Sequence, residues 1–250
     1  MWIHVHCREG WAPSAGVRRT GIGDVMIETI LPGAVTAVDT FADPPQATLF
    51  PEEESLISAA VHKRRAEFTT GRWCARQAMR RIGHRPSAIL PGPRGEPRWP
   101  DGLVGSITHC PGYRAAVVAP TARVTTVGID AEVHEPTPPG VLEAVSHAEE
   151  RDHLAVLRRD HPGVHWDRLL FSAKESVYKA WYPLTARWLD FEDARVTFHP
   201  ATATFTARLD VTGPRLHGAD LTGFTGRWVI GNGLLVTAIT ILEPALATAA

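Results

Sequence analysis

The sequence predicts an α+β fold in two lobes, and three observations predict it. Helical patterning followed by a cluster of strand-like runs occurs twice along the 250 residues, once in each half. Neither half alternates strand and helix in the manner of a doubly wound parallel sheet. The length accommodates two lobes of about 120 residues, each able to bury its own core.

The elements follow in order. Pro51-Glu52-Glu53-Glu54 places proline and acids where a helix first turn wants them, and apolar residues recur at Ile57, Ala60, Val61 and Phe68. A long helical region is expected there, interrupted at Thr69-Thr70-Gly71, with a second piece running through Trp73, Ala75, Ala78, Met79 and Ile82 to a stop at Gly83. Residues 84–102 are too rich in proline and glycine for regular structure and read as a loop. Strands are expected at 105–108, 113–119 and 124–130. Ser146-His147-Ala148-Glu149 matches a capping box for a helix that ends near His161-Pro162-Gly163. The next helix spans Asp167 to Tyr182, where Pro183 closes it. Strands at 194–198, 202–211 and 224–241 complete the chain, the last divided into a hairpin by Gly231-Asn232-Gly233, and the tail from Pro244 should fray.

Composition excludes several classes. A formal net charge of -1 rules out the protein-wide basic field that drives nucleic-acid binding, so any anion site is local. No run approaches the 18 or so apolar residues of a membrane span, and the first 24 residues lack the apolar core of a secretory signal. The expected location is the cytoplasm. The three cysteines, Cys7, Cys74 and Cys110, have no C-x-x-C spacing, which argues against a disulfide framework and a zinc site. Between His62 and Arg81, seven Lys or Arg stand against one Glu. Arg72, Arg76 and Arg80 recur every four residues, the spacing of one solvated basic ridge.

Two stretches carry chemistry. In Val127-Gly128-Ile129-Asp130-Ala131-Glu132 the two acids leave a strand end on the same side, because side chains two apart share a face. In Phe171-Ser172-Ala173-Lys174-Glu175-Ser176-Val177-Tyr178-Lys179, helical steps of about 100° gather Phe171, Lys174, Glu175, Tyr178 and Tyr182 within a third of the circumference. Magnesium takes hard oxygens from one or two carboxylates and from substrate phosphates, and Asp130, Glu132 and Glu175 offer such oxygens. Each motif alone reads more readily as a solvated turn or an ordinary Glu175–Lys179 helix pair. Together they suggest a magnesium-diphosphate site. His109-Cys110 is no thiol dyad, since neighbours on a strand face opposite ways. No G-x-S-x-G, Walker or G-x-G-x-x-G motif supports a hydrolase or nucleotide kinase.

These residues, with Arg64, Phe68 and Gly71-Arg72, then Gly95-Glu96-Pro97-Arg98-Trp99-Pro100 and Gly105-Ser106-Ile107-Thr108-His109, form five blocks in one order. In that order the chain resembles the larger, two-lobed 4'-phosphopantetheinyl transferases, the class of surfactin-type, enterobactin-type and mycobacterial-type enzymes. The resemblance implies two similar α+β lobes related by pseudo-twofold symmetry, a monomer, and no nucleic-acid or membrane partner. It implies transfer of the phosphopantetheine arm of coenzyme A, the co-substrate, to a serine of an apo acyl, peptidyl or aryl carrier protein, releasing adenosine 3',5'-bisphosphate. It implies Mg²⁺ on Asp130, Glu132 and Glu175, with Mn²⁺ open as a substitute. Arg64, Arg72, His109, Lys174 and Lys179 are then expected to hold coenzyme A phosphates, and Glu175 and Lys174 to serve catalysis, Glu175 also being a candidate proton acceptor. Two rivals stay in view: a metal-dependent hydrolase of the coenzyme A diphosphate, and a non-catalytic coenzyme A or carrier-binding module. Residues 1–25 match none of the blocks and are expected to be an extension, with Met26 as an alternative start. The lobes are placed at 26–125 and 126–250. Phe171 departs from the Trp of many relatives.

Overall fold

The computed structural model describes residues 26–244, so the expected extension before Met26 and, beyond its first residue, the expected frayed tail from Pro244 lie outside the described residues. A 3-10 turn at Met26–Ile30 leads into β1 (Thr36–Thr40), α1 (Pro51–Leu56) and α2 (His62–Arg81). A run of strands follows, β2 (Leu103–Cys110), β3 (Tyr113–Pro120) and β4 (Val124–Val133). Then come α3 (Val141–Val145), α4 (Ala148–Asp160) and α5 (Trp166–Thr185). The remaining strands are β5 (Ala194–His199), β6 (Thr204–Leu209), β7 (Arg215–Leu216), β8 (Ala219–Asp220), β9 (Gly223–Gly231) and β10 (Leu234–Leu242). The fold is α+β, as its patterning predicts.

Two antiparallel sheets organise these elements, one in the order β1-β3-β2 and the other β4-β10-β9-β6-β5. The apolar stripe of α2, with Cys74, Ala75, Ala78 and Met79, packs on Val38, Ala116 and Val118 of the first sheet. The stripe of α5, with Trp166, Leu170, Ala173, Val177 and Trp181, packs on Val196, Phe205, Leu235 and Ile239 of the second. Between the sheets, Ala115, Val117 and Ala119 of β3 meet Val127, Ile129 and Ala131 of β4 and Val236 and Ala238 of β10. Strand alternation produces this layering, since odd and even residues of β3 and β4 face opposite ways. Seven of the eight residues of β3 are buried, which is why that strand reads as a continuous apolar run.

Where β2 passes beside β4, side chains take over from a strand ladder. Ser106 Oγ accepts a hydrogen bond from the Ile129 amide at 3.2 Å, and Thr108 Oγ1 accepts one from the Ala131 amide at 3.0 Å. These hydroxyls satisfy donors that burial would otherwise leave unpaired.

Several expectations need correction. The helical region breaks between Leu56 and His62, and α2 runs unbroken through Thr69-Thr70-Gly71. Thr70 is buried there with its hydroxyl donating to Asp43 Oδ1 at 2.7 Å, and Gly71 lets α2 approach Ile107, whose Cγ2 would lie 3.0 Å from an added Cβ. The expected solvated ridge is a buried ion network at two of its positions. Arg72 and Arg76 are 7% and 5% exposed and gather around Glu53, which is 0% exposed. The capping box sits one residue later than expected, with Glu150 accepting from the His147 amide at 2.7 Å. Pro183 lies inside α5, which ends two residues later where Ala186 turns left-handed. The acids at 130 and 132 lie within β4, because pairing with β10 carries that strand on to Val133. The strand β1 and the short helix α3 had no expectation. The hairpin turn matches, with Asn232 and Gly233 both at positive φ as a two-residue type I′ turn requires.

Candidate active site

Thr126, Gly128, Asp130 and Glu132 of β4 face α5, and the glycine sets how close the helix comes. A Cβ on Gly128 would lie 2.2 Å from the Ser176 carbonyl and 2.6 Å from the Ala180 amide nitrogen. Thr126, one step before it on this face, donates to the Ala180 carbonyl at 2.8 Å. On the neighbouring strand β10, Thr237 Oγ1 lies 2.9 and 2.6 Å from the Ser172 and Ser176 hydroxyls. With the helix docked this way, the last two positions on the face, Asp130 and Glu132, meet charged residues of α5.

Lys179 Nζ donates to Asp130 Oδ1 at 2.6 Å, and Thr108 Oγ1 donates to the same oxygen at 3.3 Å. Asp130 Oδ2 is buried and has no hydrogen-bond partner. Arg168 NH1 donates to Glu132 Oε2 at 3.0 Å. Burial pushes Glu132 up to about 8, with Asp130 adding to the rise and Arg168 and Lys179 opposing it. Burial likewise raises Glu175 to about 7, opposed by the Lys179 charge and helped by Asp130. Carboxylates that strain to hold a proton in each other's company form a site short of positive charge.

The donor set fits a magnesium ion. It consists of hard carboxylate oxygens, and the orphaned Asp130 Oδ2 is a buried acceptor awaiting a cation or donor. Among the described residues, no three His, Cys, Asp or Glu side chains close around a common point. Magnesium does not require such a cage, since it keeps several waters and fills its shell with one or two carboxylates and substrate phosphates.

A basic group lies on the α2 side of β2. Next to Thr108, His109 Nε2 lies 3.4 Å from Arg64 NH1, and its Nδ1 lies 3.8 Å from Glu67. The structure therefore brings Arg64 and His109 together, with Arg64 exposed to solvent. Arg72 is buried instead. Its guanidinium stacks on Phe68, 3.3 Å from the ring centroid, and its Nε donates to the Ile89 carbonyl at 3.0 Å. Burial lowers its pKa to about 9, against the pull of Glu53.

Lys174 departs from its expected direction. It stands about 140° around the helix from Lys179, so the two ammonium groups serve different neighbours. Lys174 Nζ donates to Glu150 Oε2 and to the Phe191 carbonyl, both at 2.8 Å. Glu150 is in turn fixed by the Val196 amide, which donates to Oε1 at 2.8 Å. Lys174 and Glu175 still border one cavity, walled by Tyr178, Trp188, Leu189 and Phe191. Arg94 from the proline-rich loop stands over Trp188, 5.8 Å from the ring centroid.

The sequence reading missed Arg168, Thr108 and Glu150 as partners of site residues. Arg168 was detectable, because it lies seven residues before Glu175, two helical turns along one face. Thr108 and Glu150 reach their partners through tertiary packing and left no local signal.

Comparison with known proteins identifies the family. A family model described as the 4'-phosphopantetheinyl transferase N-terminal domain matches residues 52–119, and the model of the 4'-phosphopantetheinyl transferase superfamily matches residues 126–230. The chain is 53% identical to 4'-phosphopantetheinyl transferase Svp of Streptomyces mobaraensis, over 88% of this chain and 91% of the relative. It is 48% identical to 4'-phosphopantetheinyl transferase PptT of Mycobacterium tuberculosis, over 86% of this chain and 98% of the relative. A more distant relative, enterobactin synthase component D of Salmonella typhi, is 35% identical over 61% of the chain and 62% of its own length. With matches covering both halves and nearly the full length of such relatives, this chain belongs to the 4'-phosphopantetheinyl transferase superfamily.

Proposed function

We propose that the protein transfers the 4'-phosphopantetheine group of coenzyme A to a serine of an apo acyl, peptidyl or aryl carrier protein, with Asp130, Glu132 and Glu175 holding Mg²⁺. The observation that carries this reading is the carboxylate cluster between β4 and α5, with one buried oxygen of Asp130 unpartnered. When bound, the metal supplies positive charge to the diphosphate.

In this reading the serine oxygen forms a bond to the phosphorus bearing pantetheine, and the diphosphate P–O bond breaks to release adenosine 3',5'-bisphosphate. Arg64 and His109 donate to phosphate oxygens from the solvent-open side, while Arg72 keeps its charge in the buried layer beneath them on Glu53 and the Ile89 carbonyl. Lys179 borders the carboxylates and can follow charge that develops on the leaving phosphate. Lys174, fixed by Glu150, acts by holding the wall of the cavity beside Glu175, a space with aromatic sides suited to the pantetheine arm. Glu175 is the carboxylate placed to accept the serine proton directly or through water, a role that Mg²⁺ binding weakens by lowering its basicity. We further read residues 26–125 and 126–250 as two lobes acting on a soluble carrier as a cytoplasmic monomer; among the described residues, no helix is long and apolar enough to cross a membrane.

The test is Glu175→Gln. Loss of carrier modification with coenzyme A binding retained supports the assignment. Unchanged modification would refute it, and release of free phosphopantetheine without a carrier would favour a hydrolase.

A further inference from the structure

The carboxylate cluster carries two cations of its own. Lys179 Nζ donates to Asp130 Oδ1 at 2.6 Å, and its side chain is 8% exposed. Arg168 is held at three points: NH1 on Glu132 Oε2 at 3.0 Å, Nε on the Glu135 carbonyl at 3.2 Å, and NH2 on the Pro136 carbonyl at 2.8 Å. The segment it grips is also tied to the neighbouring residue of α5, because Thr137 donates through its amide and hydroxyl to Asp167 Oδ2, both at 2.8 Å. Arg168 therefore cannot swing clear of Glu132 without breaking two further bonds. Its side chain is only 12% exposed, so water screens its charge weakly.

With all groups ionised, the carboxylates of Asp130, Glu132 and Glu175 and the cations Lys179 and Arg168 sum to one negative charge. A divalent cation arriving alone turns that into one positive charge in a poorly hydrated place, which is costly. A diphosphate arriving with it restores a negative balance. We propose that Arg168 is a fixed internal counter-cation that keeps the metal-free site nearly neutral, makes metal binding alone weak, and obliges the metal and the diphosphate of coenzyme A to bind as a coupled pair. This rests on the metal site proposed above. By linkage, each ligand tightens the other by the same factor.

The test needs no turnover. Mg²⁺ is titrated calorimetrically into the protein alone and into the protein saturated with coenzyme A, with coenzyme A alone as blank and no carrier present. The expected result is Mg²⁺ binding tighter by about tenfold or more when coenzyme A is present. In Arg168→Gln, Mg²⁺ binds the protein alone about threefold to tenfold more tightly than wild type, and the effect of coenzyme A shrinks. Arg168→Met, which keeps the packing of the stem, serves the same comparison if the amide is not tolerated. Arg168→Lys retains the charge and the wild-type coupling. Equal Mg²⁺ affinity with and without coenzyme A, or coupling unchanged in the uncharged variants, would overturn the proposal. Absence of Mg²⁺ binding under both conditions would remove the metal site itself.

Discussion

Lys179 Nζ lies 2.6 Å from Asp130 Oδ1, while the other oxygen of that carboxylate is buried without a partner. The pair joins β4 to α5, and both side chains are under 10% exposed. Removing one partner of a buried pair leaves an uncompensated charge, typically at a cost of about 3–5 kcal/mol. Lys179→Met should therefore lose stability of that order in urea unfolding with EDTA present, and Mg²⁺ should restore part of it. No loss would mean that Asp130 is already satisfied elsewhere.

Glu132 and Glu175 set a pH dependence. Their folded values of about 8 and about 7 lie above the ordinary 4.5, so the folded protein holds more protons than the unfolded chain between these limits. Stability of the metal-free protein should therefore fall as pH rises from about 5 to about 8. Magnesium should stabilise most at the upper end of that window, releasing protons as it binds. Thermal unfolding at several pH values, with EDTA or with Mg²⁺, measures both trends. A metal-free midpoint that rises across the window would contradict the raised values.

Gly128 permits the close approach of α5 to the metal-facing strand. In Gly128→Ala the new methyl meets the Ser176 carbonyl and the Ala180 amide, backbone atoms that cannot step aside cheaply. A loss of about 2 kcal/mol or more in denaturant unfolding is expected, with weaker carrier modification because Lys179 and Glu175 shift against Asp130.

The buried Lys174–Glu150 pair separates support from chemistry. Glu150→Ala should cost about 3–5 kcal/mol, whereas Lys174→Met combined with Glu150→Leu should recover only part of that loss, because the His147 and Val196 amides lose their acceptor. Carrier modification by the more stable double variant then reads the direct contribution of Lys174. Activity near wild type agrees with the positioning role, and an inactive but folded double variant shows that the ammonium itself touches coenzyme A.

Much of this was legible in the sequence where periodicity and chemistry coincide. Asp130 and Glu132 share a strand face, and the i,i+7 and i,i+4 spacings of Arg168, Glu175 and Lys179 place that row toward them. The Asn232-Gly233 turn and the apolar run of β3 were equally plain. What escaped depended on partners distant in sequence. Arg72 and Arg76 looked like an exposed ridge because the carboxylate that buries them, Glu53, sits on a separate short helix. The bond from Lys174 to Glu150, 24 residues away on α4, was equally hidden, because Glu150 has no local mark as its partner. The strand β1 is five residues long and takes its stability from pairing with β3.

The most direct measurement is the intact mass of several apo carrier proteins after incubation with the protein, coenzyme A and Mg²⁺, with and without EDTA. A gain of one phosphopantetheine group on a carrier, abolished by EDTA and by Asp130→Ala, is the predicted result. A gain that persists in EDTA, or an undiminished gain in Asp130→Ala, would contradict the assignment of a metal to the β4–α5 carboxylates.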